Sequence, residues 1–148
     1  MKIRDNITIK ARAEKIWPLL VEPDFIPEWN EKIVAVKALA TSRPALQAQY
    51  RFTFRFTKKE TDCIGTLTTL EFPLRITWRF ESLDLEKPWS VTDAFELQEK
   101  SGHTSLKRTL DLTKAPIPLI FRPLIWFIAN FGRPTGITNL EKIKSLAE

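Results

Sequence analysis

A chain of 148 residues, with 43% hydrophobic and 28% charged residues, has the length of one domain with a single sizeable core and a composition that excludes a disordered or fibrous protein. Its net charge of +5 comes from Lys and Arg residues spread along the sequence rather than gathered into a stripe, so no nucleic-acid partner is expected. The single cysteine, Cys63, has no partner for an internal disulfide and no Cys or His cluster around it. The first fifteen residues contain no apolar run of the kind a secretory leader needs, and with the lone cysteine this points to the cytoplasm.

Lys2–Lys10 alternates, with Ile3, Ile7 and Ile9 on one face and Asp5 as the polar exception, which predicts a strand. The period then changes. Ala13, Ile16, Trp17 and Leu20 recur at helical spacing, Pro18 shortens that helix or sits in its first turns, and Pro23 ends it. Asp24–Glu28 reads as a second short helix or turn. From Glu31 onward the pattern is β. Lys32–Ala40 is a candidate strand, followed by a turn through "TSRPA". In "QYRFTFRFT" the residues Tyr50, Phe52, Phe54 and Phe56 point one way, and Arg51, Thr53 and Arg55 the other, as in a sheet with one buried and one wet face. "DCIGTLTTLEF" is rich in β-formers. "RITWRFESL" alternates again, with Ile76, Trp78 and Phe80 inward. "WSVTDAFELQ" and "TSLKRTLDLT" form a hairpin around Glu99–Gly102. The outward arginines of the aromatic strands read as a solubilising face and not as ligand contacts, because alternation sets them opposite the aromatics. No repeat, low-complexity tract or linker appears, so residues 1–148 are expected to form one domain.

The most apolar stretch is "APIPLIFRPLIWFIANFGRP", residues 115–134. A bilayer span needs about 20 mostly apolar residues. Here Arg122 and Arg133 bracket a shorter run, and Pro116, Pro118 and Pro123 punctuate it, so a transmembrane helix is not expected. Trp126 and Phe127, flanked by those arginines, also suit a helix lying on a membrane surface. A break is expected at Gly132–Pro134, then a helix over about residues 135–147.

One strand, a helical pair, a run of antiparallel strands and a C-terminal helical region make an α+β arrangement. With "ITIKARAEKIWPLLVEPDFIPEWN" at its start and "LEKIKSLAE" at its end, the chain resembles the START-like (SRPBCC) superfamily, the helix-grip fold, in its polyketide cyclase/dehydrase-like and coenzyme-Q-binding-like branch. Ala13, Glu14, Ile16, Trp17, Leu20, Asp24 and Trp29 carry the resemblance, which covers nearly the whole chain. It implies a curved antiparallel sheet of about seven strands wrapped around a long C-terminal helix, with two short helices after the first strand. It also implies that a cavity can open between sheet and helix. Residues 117–131 would then form its apolar lid, or simply fill the core. These are signatures of fold, shared by members with unrelated activities.

Inside an apolar face, inward polar residues are the candidates for chemistry. In the hairpin, Asp93 shares a face with Trp89, Val91, Phe95 and Leu97, and Arg108 shares one with Leu106, Leu110 and Leu112. With a four-residue turn at Glu99–Gly102, Gln98 pairs with His103 and Asp93 lies opposite Arg108, within reach of an ion pair. A buried charge needs such a partner. The pair is either a polar anchor for a ligand or a structural pair that neutralises itself. The remaining candidate ligand contacts are Trp78, Phe54, Phe56, Phe95, Trp126 and Phe127, with Trp78 and Phe54 expected deepest. His103 reads as a solvated turn residue. No metal-ligand spacing, catalytic triad or glycine-rich phosphate loop is present, so no metal and no cofactor are expected. Three functions remain open. The first is binding of a hydrophobic small molecule such as a lipid, quinone or polyketide-like compound. The second is a cyclase/dehydratase-type enzyme using Asp93 and Arg108. The third is a membrane- or protein-interaction module using Trp126 and Phe127.

Overall fold

The computed structural model describes residues 2–40, 43–56, 58–86, 88–114 and 138–148, Phe56 by its backbone only. The alternating segments all form strands: β1 (Lys2–Ile9), β2 (Ile33–Ala38), β3 (Gln49–Phe56), β4 (Lys59–Glu71), β5 (Arg75–Ser82), β6 (Ser90–Lys100) and β7 (His103–Asp111). They make one antiparallel sheet in the order β1-β7-β6-β5-β4-β3-β2, so only the first strand leaves sequence order and closes beside the last. Ladder irregularities fall between Ile33 and Ala35 and between Leu67 and Thr69, where one strand carries an extra residue.

Helix α1 runs Ala13–Val21 and passes through Pro18 rather than stopping there. Burial explains the outcome: Ile16, Trp17, Leu20 and Val21 all go into the core, enough to hold the turn after the proline. At its N-terminus no side chain of Arg12 caps the helix; instead Glu99 reaches in from β6 and accepts from Ala13 N at 2.7 Å. A 3-10 turn at Pro23–Phe25 leads into the one-turn helix α2 (Ile26–Trp29). The C-terminal helix described here, α3, is Asn139–Ala147. Thr138 caps it, its hydroxyl accepting from Glu141 N at 3.2 Å, as expected for Thr followed three residues later by Glu. The apolar stretch with its expected break, and with Trp126 and Phe127, lies outside the described residues. Among the described residues, no helix is long and apolar enough to cross a membrane.

The inner face of the sheet and the helices share one core. Ile9, Ile16, Leu20, Trp29, Tyr50, Phe52, Leu67, Ile76, Trp78, Phe95, Leu106 and Ile143 are fully or nearly fully buried. The outer face is laced by charge. Arg51 meets Asp62 at 2.7 Å, and Arg55 pairs with Glu60 and Arg79 with Glu81. The outward arginines therefore serve the surface, as alternation required. They sit too exposed for each pair to add more than about 0–1 kcal/mol.

Gly65 is the point of closest approach in the sheet. A Cβ there would lie 2.4 Å from the ring of Phe52 and 3.0 Å from that of Phe80. The Phe52 ring has nowhere to go, being wedged among Phe54, Trp78 and Phe80 at centroid distances of 6.5, 5.3 and 4.9 Å. We therefore expect Gly65→Ala to cost about 1–3 kcal/mol, the usual cost of overpacking, read as a lowered urea midpoint. An unchanged midpoint would mean the aromatic face can relax. Cys63 lies beside this cluster, with no exposed surface. Burial first, and the charge of Asp62 second, push its thiol up to about 12. It should resist a thiol-reactive disulfide reagent at pH 8 and react fully only once the chain is unfolded in urea; rapid reaction of the native protein would contradict its placement.

Candidate functional site

Each strand pairing places one more side chain on the inner face. Leu67 faces Trp78, Trp78 faces Asp93, and Asp93 faces Leu110, so the acid stands in a row of large apolar residues. In the next row Ile76 faces Phe95, Phe95 faces Arg108, and Arg108 faces Asp5 on β1. The register differs from the expected one. The β6–β7 turn has two residues, not four: Lys100 pairs with His103, and Ser101 and Gly102 occupy the left-handed region at φ 53° and 78°. That is the geometry of a tight hairpin whose turn twist matches the strands. Asp93 is consequently not directly opposite Arg108 but diagonal to it.

The ion pair forms all the same. Arg108 Nε donates to Asp93 Oδ1 at 2.8 Å, and Nη2 donates to Oδ2 at 2.7 Å, a bidentate fork. A diagonal separation is within reach of a long side chain, and the two-residue error in register keeps both residues on the same face. The side chains are 15% and 6% exposed for Arg108 and Asp93. The guanidinium carbon lies 5.7 Å from the ring of Trp29 and 5.5 Å from that of Phe95. With its amide oriented by its hydrogen-bond partners, Asn139 at the start of α3 accepts from Arg108 Nη1 at 3.2 Å and donates to Trp29 O at 3.0 Å. Burial alone would push the guanidinium down. The charge and hydrogen bonds of Asp93, with the charge of Asp5, outweigh it and hold Arg108 above its ordinary value. Asp5 itself is exposed, at the rim of the sheet.

Beside the pair lies the aromatic wall. Trp78 is at the junction, facing Asp93 and packing edge-on against Tyr50 at 5.7 Å and Phe52 at 5.3 Å. Phe80 stacks on Trp78 at 6.2 Å and meets Phe54 edge-on at 5.4 Å. Trp78 is 2% exposed, as expected for the deepest aromatic. Phe54 is only half-buried; Tyr50 and Phe52, each with no exposed surface, lie deeper, because Phe54 stands toward the outer end of its strand. Of the other expected contacts, Phe95 is 1% exposed and serves Arg108 and Trp29. Phe56 contributes only its backbone register to the description, opposite Lys59. Trp126 and Phe127 lie outside it. His103 is an exposed turn residue, its Nδ1 3.2 Å from the Ser101 carbonyl.

Two site features escape the sequence pattern. Trp29 and Asn139, which complete the surroundings of Arg108, come from elements far away in the chain, and no local signal ties either of them to Arg108. Tyr50 does carry a signal. It is the one tyrosine in a chain with ten phenylalanines, and it stands in an inward row otherwise filled by Phe. Among the described residues no three His, Cys, Asp or Glu side chains converge on a metal position.

A curved antiparallel sheet with two short helices after its first strand and a helix at its C-terminus defines a helix-grip domain. The comparisons agree. The chain belongs to the family described as polyketide cyclase/dehydrase and lipid transport, whose model matches residues 1–148. Among solved structures it is similar to protein CV1439 from Chromobacterium violaceum, with 17% identity and a TM-score of 0.70 over 99% of this chain and 96% of that one. It is also similar to protein MLL2253 from Mesorhizobium loti, with 19% identity and a TM-score of 0.64 over 99% and 96%. A third is the ginseng major latex-like protein 151 from Panax ginseng, with 10% identity and a TM-score of 0.67 over 98% and 95%. At such identities the likeness is one of fold. No curated protein matches the chain.

The energetic weight of the ion pair is testable. Removing one partner leaves the other charged and buried, so Arg108→Met should cost roughly 3–5 kcal/mol, while Arg108→Met combined with Asp93→Leu should recover most of that loss. Urea unfolding of the two single variants and the double one measures it. A loss in Arg108→Met no larger than in the surface control Arg51→Met would show that water reaches the pair.

Proposed function

We propose that this protein binds a hydrophobic small molecule, a lipid, quinone or polyketide-like compound, against the inner aromatic face between the sheet and the C-terminal helix. One observation carries the reading: Tyr50, Phe52, Phe54, Trp78 and Phe80 form a contiguous array of rings in mutual contact. A flat or polyene ligand seated against such a wall would bury large aromatic area at little cost in side-chain entropy. Apolar walls with a few placed polar groups are the usual make-up of a small-molecule site. The polar group in this reading is the Asp93–Arg108 pair, which abuts the wall through Trp78. Among the described residues Arg108 gives three of its five N–H groups to Asp93 and Asn139, which leaves two for a ligand oxygen in this reading. The family's description, which includes lipid transport, supports the same direction.

The same description also names cyclase and dehydrase activity, and in a second reading Arg108 steadies an enolate oxygen while Asp93 moves a proton. The bidentate fork favours binding over catalysis, because an Asp93 committed to Arg108 through both oxygens is a poor base. Turnover lost in Asp93→Asn with ligand affinity intact would reverse that preference. The deciding measurement is native mass spectrometry of gently purified protein, followed by solvent extraction. A stoichiometric apolar compound is the expected result. A clean apo mass, together with no binding of 1-anilinonaphthalene-8-sulfonate, would sink the binding reading.

A further inference from the structure

The wall contains a hydroxyl that none of the described residues engages. Tyr50 has no exposed surface, and its phenolic oxygen, screened from solvent, has no hydrogen-bond partner among the described residues. Leaving a buried polar group unpaired costs about 1–3 kcal/mol, and native cores avoid it. Phenylalanine would fill the same space without that cost, and it does so at Phe52 and Phe54 in the same inward row. The buried indole N–H groups of Trp78 and Trp29 are satisfied. Trp78 Nε1 donates to Leu20 O at 2.9 Å, and Trp29 Nε1 donates to Leu19 O at 2.6 Å. Among the described residues the exception is this one atom, on a ring that packs against Trp78.

We infer that Tyr50 is a specificity-determining residue whose hydroxyl donates a hydrogen bond to a carbonyl oxygen of the bound ligand. The inference rests on the binding function proposed above and names its substrate class: an aromatic or polyene body bearing a ketone or quinone oxygen, as against a plain hydrocarbon. Burial first, and the charge of Glu22 second, raise the phenol above its ordinary value, so it stays a neutral donor across the physiological range. A donor suits a carbonyl, which accepts and cannot donate. The free protein carries the unpaired hydroxyl as a cost that a correct ligand removes. A ligand without an acceptor leaves it in place, and this asymmetry is what makes hydrogen-bonding sites selective.

The test compares fluorenone and fluorene, the same tricyclic frame with C=O in one and CH2 in the other, by isothermal titration calorimetry on the wild-type protein and on Tyr50→Phe. The expected result is a preference for fluorenone of roughly five- to tenfold in the wild type. That preference should disappear in Tyr50→Phe, whose urea midpoint equals or exceeds the wild-type value. A fluorenone-to-fluorene ratio unchanged by Tyr50→Phe overturns the assignment while the binding function stands. So does a Tyr50→Phe protein that is destabilised or fails to fold, since its hydroxyl would then have a structural partner such as a buried water. Failure of both compounds to bind the wild type overturns the binding function and this inference with it.

Discussion

One guanidinium holds this structure in register. Arg108 belongs to β7, which is hydrogen-bonded on one side to β1 and on the other to β6. It grips Asp93 on β6 with two bonds, lies against the rings of Trp29 and Phe95, and bonds Asn139 at the head of α3. Taking two charges out of water is costly, and their mutual attraction offsets that cost only when geometry and remaining hydrogen bonds are good. The requirement therefore reaches beyond the pair. It fixes where the α2 tryptophan stands, and it sets where the C-terminal helix begins, because the amide that satisfies Arg108 also satisfies the Trp29 carbonyl.

The same economy of polar groups seats α1. The last carbonyls of a helix have no partner inside it, and a buried indole N–H has none inside its own ring system. Here each deficiency corrects the other. Leu19 O and Leu20 O accept from Trp29 and Trp78, so the helix end is docked onto the sheet at a defined position as well as packed against it. Gly65 completes the arrangement by letting the Phe52 ring lie directly over the strand. The result is an inner face of closely packed rings. The outer face is an ordinary charged surface, where arginines meet acids across the strands. Against this background the Tyr50 hydroxyl stands out, because it has no partner among the described residues while the buried Trp78 and Trp29 indoles both have theirs.

Much of this was legible in the residues. Period-two alternation assigned the faces of β1, β3, β5, β6 and β7, and it put Asp93 and Arg108 together on the buried one. The register was misread by two residues because turn length cannot be inferred from alternation: both a two-residue and a four-residue loop keep the parity of the faces. Ser101-Gly102 was the better indicator, since glycine accepts the left-handed conformation that a tight turn demands. Parity was preserved, and a long arginine side chain covers a diagonal as readily as a direct separation, so the ion pair survived the error. Depth along a strand was harder to read. Phe54 and Phe52 look equivalent in sequence, yet only Phe52 lies over Gly65 in the middle of the sheet.

The sequence by itself determined which side of each strand is buried, the class of the fold, and the presence of one acid and one base on an apolar face. These follow from local periodicity, which is set by backbone geometry and operates over a few residues. Only the tertiary structure decided what completes each group: Asn139 and Trp29 for Arg108, the Leu20 carbonyl for Trp78, and no protein partner for Tyr50 among the described residues. Those partners lie tens of residues away, and spacing along the chain carries almost no information about such contacts. The entropy of closing a long loop changes only slowly with its length, so the choice of partner falls to packing and to the need of each buried polar group for another.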